Sequence, residues 1–496
     1  MTAAEEYLPG SAEEQIQTSK PGLTLQTALT ELQAAIADKQ SVAARLAACF
    51  EADDSHRRAH ALYRDVGEIA LTLEDWSSAE LAAVRSLKKK PSFGAAFKLM
   101  GLALRGAGRL EEAAICHRYG LPPAIRDQHF GDIPCVQTDS FSAGDAGVSR
   151  HQAFATETFP LQQPLQLEAR EIVELAASEL HAAEGFTTVI PGGYLWFDSF
   201  NTVAWDRKGR IVADICRGYA EVVQGSLDGR EPLKLAGRVC LLGNRNSINY
   251  YHWMNDVLPR LAVLQASGHD LDSIDHFVVS PLVHRFHKQT LAELGILEDR
   301  LHTIDEGEYI QADELLMATY GSNSLGRAQG PWNPAFLQRS FGPQEMPATP
   351  LRRLYISRGS SGARGISNEE DLIAHLAQRG FEVVRAESMT VREQAVLFAE
   401  AQVVLGPHGA GFSNIAFCQP GTTVIELFSA HMAPCFWVIS EVTGLRHAVH
   451  FCGDFDETNR PSANEHYHRS ADVRRRSAFQ VNIEEIDALL LALNIH

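Results

Sequence analysis

The feature that most restricts the fold of this chain is the close alternation of strand-like and helix-like segments after Pro350. LRRLYISR reads as a strand, Ser367 with Glu370 predicts a capping box opening a helix to Arg379, and Gly380 is placed to stop it. FEVVRA follows as a second strand. Thr390 with Glu393 predicts a second capping box, its helix ends before Gln402, and QVVLG, a loop, a short helix and TTVIELF complete the series. Strands and helices at this spacing build a parallel, doubly wound α/β sheet.

The Pro-rich break GPQEMPATP, Gly342 to Pro350, reads as an interdomain linker. Upstream of it, back to Phe130, the texture is mixed α/β, with a hairpin predicted over Tyr194 to Val212 turning at Lys208 and Gly209. Earlier still, Tyr63 and Phe97, Gly67 and Gly101, Ala79 and Ala113, and Leu81 and Ile115 each stand 34 residues apart. That is the tetratricopeptide period, and Pro91 and Pro122 with Pro123 fall where the second helices should close. Leu25 to Phe50 reads as a third, degenerate pair; an ordinary helical domain with a chance repeat is the other reading. Either way the segment indicates packing, a protein partner or self-association rather than chemistry. The expected organisation is a flexible N-terminus (1–24), a tetratricopeptide-like helical domain (25–129), one α/β lobe (130–341), the linker (342–350) and a second α/β lobe (351–496). Residues 130–496 are expected to fold without the helices.

A length of 496 residues exceeds one ordinary core, and 45% hydrophobic with 21% charged residues is the balance of a folding chain. The net charge of −18 opposes general binding to nucleic acid or anionic membranes. Positive charge for a phosphate ligand must then be gathered locally. The first residues lack the basic and apolar regions of a signal peptide, and no apolar run approaches the roughly 20 residues of a membrane span, so a cytoplasmic protein is expected. Eight scattered cysteines without zinc spacing read as reduced thiols.

Two constellations could carry chemistry. In Gly406-Pro407-His408-Gly409-Ala410-Gly411 the glycines let backbone approach a ligand and the next helix offers free N–H groups, an arrangement suited to phosphate, although a tight turn alone would look the same. Ser357 to Arg364 ends a neighbouring predicted strand and adds Arg358 and Arg364; two guanidinium groups beside a helix N-terminus suit a diphosphate. Glu426, inside the apolar VIELF, would accept hydrogen bonds from sugar or ribose hydroxyls, or else form a structural ion pair. The second constellation is NYYHWMNDVLPRL. On a helix, Tyr250, Trp253, Val257, Leu261 and Leu264 make an apolar stripe, and Asn249, His252, Asp256 and Arg260 a polar strip in which His252 and Asp256 can meet. A solvated face with an ion pair is the bland alternative, and Pro259 should kink or end the helix.

Taken together, NYYHWMNDVLPRL, YISR with RGISNEEDL, GFEVV, REQ, GPHGAGFSNIAF and PGTTVIELF resemble glycosyltransferase family 61 over roughly residues 190–430. That group includes O-linked N-acetylglucosaminyltransferases, plant xylosyltransferases and bacterial capsule-type enzymes. The resemblance implies a GT-B architecture of two facing Rossmann-like lobes, 130–341 on the acceptor side and 351–496 binding the nucleotide sugar. It implies inverting transfer to a glycan hydroxyl, in capsule, exopolysaccharide or lipopolysaccharide synthesis, without a cofactor or bound metal and with a UDP-sugar as the leading donor. Carried over by position, Asp256 is the expected general base with His252 beside it, and Asn249 and Arg260 lie on the acceptor side. Arg358, Arg364, His408, Gly409, Ala410, Asn414 and Glu426 are the expected donor-site residues. Asp454-Phe455-Asp456 and Asp270-Leu271-Asp272 fit a DxD metal pattern, but no further hard ligands accompany either. A different class of function, a tetratricopeptide scaffold carrying a non-catalytic glycan- or nucleotide-binding module, is the alternative.

Overall fold

A computed structural model of the chain describes residues 23–452 and 478–496, apart from 39–40, 57, 118–119, 132–133, 139–146, 168–174, 176, 199–200, 219, 228–229, 245, 305–306, 321–328, 360–364 and 430–431. The chain divides into two compact units, one of Met1–Pro134 with Arg217–Arg230, the other of Cys135–Cys216 with Glu231–His496.

The first unit is helical: α1 (Leu25–Asp38), α2 (Val42–Glu51), α3 (Ala59–Thr72), α4 (Trp76–Lys89), α5 (Gly94–Gly106), α6 (Leu110–His117), α7 (Pro123–His129) and α8 (Ala220–Ser226). Small residues at the 34-residue spacing face the core: Gly67, Ala79, Gly101 and Ala113 are buried around Tyr63 and Phe97. A Cβ on Gly67 would stand 2.4 Å from Leu99 Cδ2 and 3.1 Å from Ala82 Cβ, so the glycine makes room for the Leu99 side chain. Asp75 caps α4 by accepting from Ser78 N at 3.0 Å. The last helix, α8, lies far along the chain from the rest, yet Val222 is buried in their apolar core.

The second unit is mixed α/β with two large sheets. In the first, the parallel strands β1 (Leu233–Leu241), β2 (His276–Val279), β3 (Leu301–Thr303) and β4 (Glu308–Ala318) stand in the order β4-β1-β2-β3. Antiparallel strands Gly185–Pro191 and Tyr194–Phe197 add to β4. The predicted hairpin over Tyr194–Val212 is instead a meander: the first reversal lies between Tyr194–Phe197 and Thr202–Trp205, stabilised by Asp198 and Asn201, and the turn at Lys208 and Gly209 is the second. One hairpin was expected because Asp198 and Asn201 are a weaker turn signal than Lys-Gly; Gly209 does take a left-handed φ of 77°.

The second sheet contains β5 (Arg352–Ile356), β6 (Phe381–Val384), β7 (Ala401–Pro407), β8 (Thr423–Phe428) and β9 (Arg446–Phe451), all parallel in the order β6-β5-β7-β8-β9, with Leu165–Gln166 pairing β9. The chain winds to one side of β5 and then to the other, so a topological switch point lies between β5 and β7. Thr390 and Glu393 form the predicted capping box in both directions. The box predicted at Ser367 and Glu370 does not form. The helix Glu369–Ala377 starts after Asn368, and the C-terminal segment takes the would-be caps, Ser367 Oγ donating to Phe479 O and Asn368 pairing with both Val481 N and Val481 O. Residues 342–350, expected as a linker, lie within this unit, and Gln419 Nε2 donates to Pro347 O. One apolar core runs from Leu258 and Leu261 through Leu337 and Phe341 to Leu354, Phe398 and Phe412, so the segments on either side of 342–350 bury their side chains together.

Candidate active site

The strand β1 ends in a loop that His287 fixes, its Nε2–H donating to Ser247 O at 3.0 Å. Burial lowers the His287 pKa to about 4, so the ring is neutral and keeps a lone pair on Nδ1 for the His284 backbone N–H. Asn249 then caps the motif helix by accepting from Tyr251 N, which is a different role from the acceptor-side contact expected of it. The helix is not uniform. Tyr250–His252 is α-helical, Trp253–Val257 is one π-turn closed by Leu258 N donating to Trp253 O at 3.0 Å, and Pro259 opens the next α-helical stretch. Proline has no N–H to offer Asn255 O; Asn333 Nδ2 donates to that carbonyl instead, at 2.8 Å.

The π-turn breaks the single polar strip expected from α-helical spacing. His252 and Asp256 still meet, Nδ1 to Oδ2 at 2.6 Å, and Asn244 Nδ2 donates to the same Asp256 oxygen at 3.2 Å. Asp256 is buried and His252 half-buried, so the pair has one face toward solvent. Arg260 is fully buried and does not lie on an acceptor-facing surface. Its guanidinium donates to Ala318 O and Gly243 O and lies over the Tyr320 ring, which braces the helix against β4.

Of the expected donor-side residues, Arg358, His408, Gly409 and Ala410 follow the carboxyl ends of β5 and β7, the switch point of the second sheet. Arg358 Nη1 donates to His408 O at 2.7 Å, leaving its buried Nε without a partner, and burial lowers the guanidinium pKa. A Cβ on Gly409 would sit 2.1 Å from Arg358 Nη1, so the glycine makes room for the arginine. Ala410 opens a 3-10 helix, Ala410–Phe417, where a short helix is expected. Asn414 is fully buried and committed inward: Oδ1 accepts from Tyr250 OH at 2.8 Å and Nδ2 donates to Gln394 Oε1 at 2.7 Å. Glu426 is also turned inward, with one oxygen on His408 Nδ1 and the other on His447 Nε2 at 3.2 Å. Both are expected donor-site residues, and in the structure both hold neighbouring groups. His447 went unnoticed in the sequence; the available signal was a histidine in the apolar run RHAVHF following VIELF.

Rings connect the two halves of the site. His252 contacts Tyr251, Tyr251 contacts Phe436 and Phe436 contacts His408, with successive centroids 5.1, 5.5 and 5.3 Å apart. Arg364, Asp454 and Asp456 lie outside the described residues. Asp270 accepts from Asp272 N as the cap of a 3-10 turn. Among the described residues no group of three or more His, Cys, Asp or Glu could hold a metal ion, and no helix is long and apolar enough to cross a membrane.

With this geometry in place, comparison with known proteins finds a family match over the motif helix and part of the second sheet. Residues 250–425 match the family model Glycosyltransferase 61, from the motif helix to the residue before Glu426. The chain is 31% identical to a beta-1,2-xylosyltransferase of Arabidopsis thaliana over 100 residues, 19% of this chain and 16% of that protein. It is 25% identical to the EGF domain-specific O-linked N-acetylglucosamine transferase of Drosophila melanogaster over 131 residues, 25% of each chain. The matches therefore span a quarter or less of those relatives' lengths, and they support a glycosyl-transfer function.

Proposed function

We propose that the chain is an inverting glycosyltransferase that moves a sugar from a nucleoside-diphosphate sugar, UDP-linked in the leading case, to a hydroxyl of a saccharide or other glycan. Asp256 takes the proton of the acceptor hydroxyl, the acceptor oxygen attacks the anomeric carbon from the side opposite the diphosphate, and the bond to the diphosphate breaks. His252 holds the Asp256 carboxylate in position. Arg358, Arg364 and His408 receive the charge of the departing nucleoside diphosphate, so that no bound metal is required. The lobes built on the two sheets form a GT-B-type pair, the helical unit is a tetratricopeptide-like module for a protein partner or self-association, and the enzyme works in the cytoplasm on a polysaccharide pathway.

The observation that carries this reading is the short row of rings from His252 to His408, because it sets a carboxylate–imidazole pair close to an arginine and a histidine at a sheet switch point. A base for the acceptor and cations for the leaving group are the two requirements of the reaction. The test is a panel of nucleotide sugars offered to the full chain with glycan acceptors, reading released nucleoside diphosphate. One donor should stand out, and Asp256→Asn should lose its turnover. A folded chain that neither binds nor turns over any nucleotide sugar would overturn the reading.

A further inference from the structure

Behind the loop carrying His408 lie three buried polar residues, Ser440, His447 and Glu426, to which the proposed reaction gives no role. Ser440 Oγ and His447 Nδ1 are 2.9 Å apart, His447 Nε2 and Glu426 Oε2 3.2 Å, and Glu426 Oε1 meets His408 Nδ1. Ser440, His447 and Glu426 are all but inaccessible to solvent, and His408, at the other end of the row, is buried with 7% of its surface exposed. Two apolar strands, β8 and β9, and an apolar helix, Cys435–Thr443, supply Glu426, His447 and Ser440, and such groups are costly to bury unless their bonds matter.

The directions of the bonds follow from the chemistry. Burial lowers the His447 pKa to about 3, so the ring is neutral and carries one proton. The Ser440 hydroxyl can donate to Nδ1, which leaves the ring proton on Nε2, facing Glu426. A neutral donor satisfies one oxygen of the carboxylate without cancelling its charge. The carboxylate thus keeps its negative charge beside His408, whose Nδ1–H donates to the other oxygen. Among the described residues, titratable groups packed around the row include Cys435, kept as a neutral thiol by burial, Tyr251 beside it, and Arg358 over the His408 carbonyl.

We infer that Ser440 and His447 are positioning residues that keep Glu426 ionised and aimed at His408, so that His408 meets the leaving diphosphate as an imidazolium. The inference rests on the reading of His408 as a donor-site residue.

The test combines charge state and binding. Protein labelled with [13Cε1]-histidine, with the His408 signal identified by its loss in His408→Asn, reports whether that ring is charged at neutral pH. Wild type should show an imidazolium. Ser440→Ala and His447→Leu should move the signal toward the neutral ring, while His447→Gln, which keeps an N–H toward Glu426, should restore it. UDP affinity should follow, falling about tenfold in the first two variants, the effect of about one unit in the charge equilibrium of the ring. A neutral His408 ring in wild type, or an unchanged ring in folded Ser440→Ala and His447→Leu alike with UDP affinity also unchanged, would overturn the inference. A ring that changes with the variants but does not respond to added UDP would instead remove His408 from the donor site.

Discussion

Tyr250 donates its phenolic proton to Asn414 Oδ1 at 2.8 Å, which joins the helix carrying His252 and Asp256 to the 3-10 helix that follows His408. The hydroxyl is buried, and burial raises its pKa, so it stays a neutral donor. Tyr250→Phe leaves the buried Asn414 oxygen without that donor, and the expected loss is about 1–3 kcal/mol of stability. Urea midpoints of wild type and variant measure it. An unchanged midpoint would mean that the contact contributes nothing.

Asp256→Asn preserves shape and removes basicity. Turnover should fall by roughly 10² to 10⁴, the contribution of a positioned base, with melting temperature and UDP affinity little altered. Should the folded variant keep near-normal turnover, the pair with His252 is structural.

Gly409→Ala places a methyl group where Arg358 Nη1 now sits, 2.1 Å from the built Cβ. The guanidinium has to leave the His408 carbonyl, and UDP binding should weaken about as much as in Arg358→Ala. Isothermal titration of both variants decides this. Weakening in Arg358→Ala alone would show that the arginine can contact phosphate from a second position.

His287 and His447 are neutral in the folded protein, with pKa values lowered by burial to about 4 and about 3. The unfolded chain takes up protons on both near pH 6.5, so it binds more protons than the folded state between that point and pH 4. Stability from these groups is therefore complete above pH 6.5 and declines as pH falls, by up to about 1.4 kcal/mol per unit for each ring. Urea unfolding at pH 7.5, 6 and 5 should show the decline, and His287→Gln should flatten it. A variant with the wild-type slope would mean that His287 does not resist protonation.

On the proposed mechanism, in which arginine and imidazolium provide the charge that a divalent cation would otherwise hold, turnover should persist in excess EDTA. Activity abolished by the chelator and restored by Mn²⁺ would shift attention to Asp454 and Asp456.

Features set by local chemistry were legible in the sequence. Thr390 and Glu393 form their box, β5 to β8 lie where apolar runs end in turn residues, and His252 meets Asp256 four residues on. What escaped was decided by partners far along the chain. Ser367 lost its cap role to Phe479, more than a hundred residues away, and Glu426 and Asn414 were drawn inward by His447 and Gln394. The π-turn escaped for a different reason, since helical spacing assumes 3.6 residues per turn and Pro259 changes which carbonyls need donors. Arg260 reads as surface charge in any sequence, and only the Ala318 and Gly243 carbonyls explain its burial.

The helix α8 carries a lesson for cutting this chain. Its Val222 is buried among helices that end before Pro134, and a Cβ at Gly225 would meet Phe130 O at 2.8 Å. A polypeptide started at residue 130 keeps α8 but discards the surface that covers it, so the excision expected to free a module would carry a raw apolar edge. During synthesis the same geometry delays completion of the helical unit until residue 230 has left the ribosome, after the first strands of the other unit are already made.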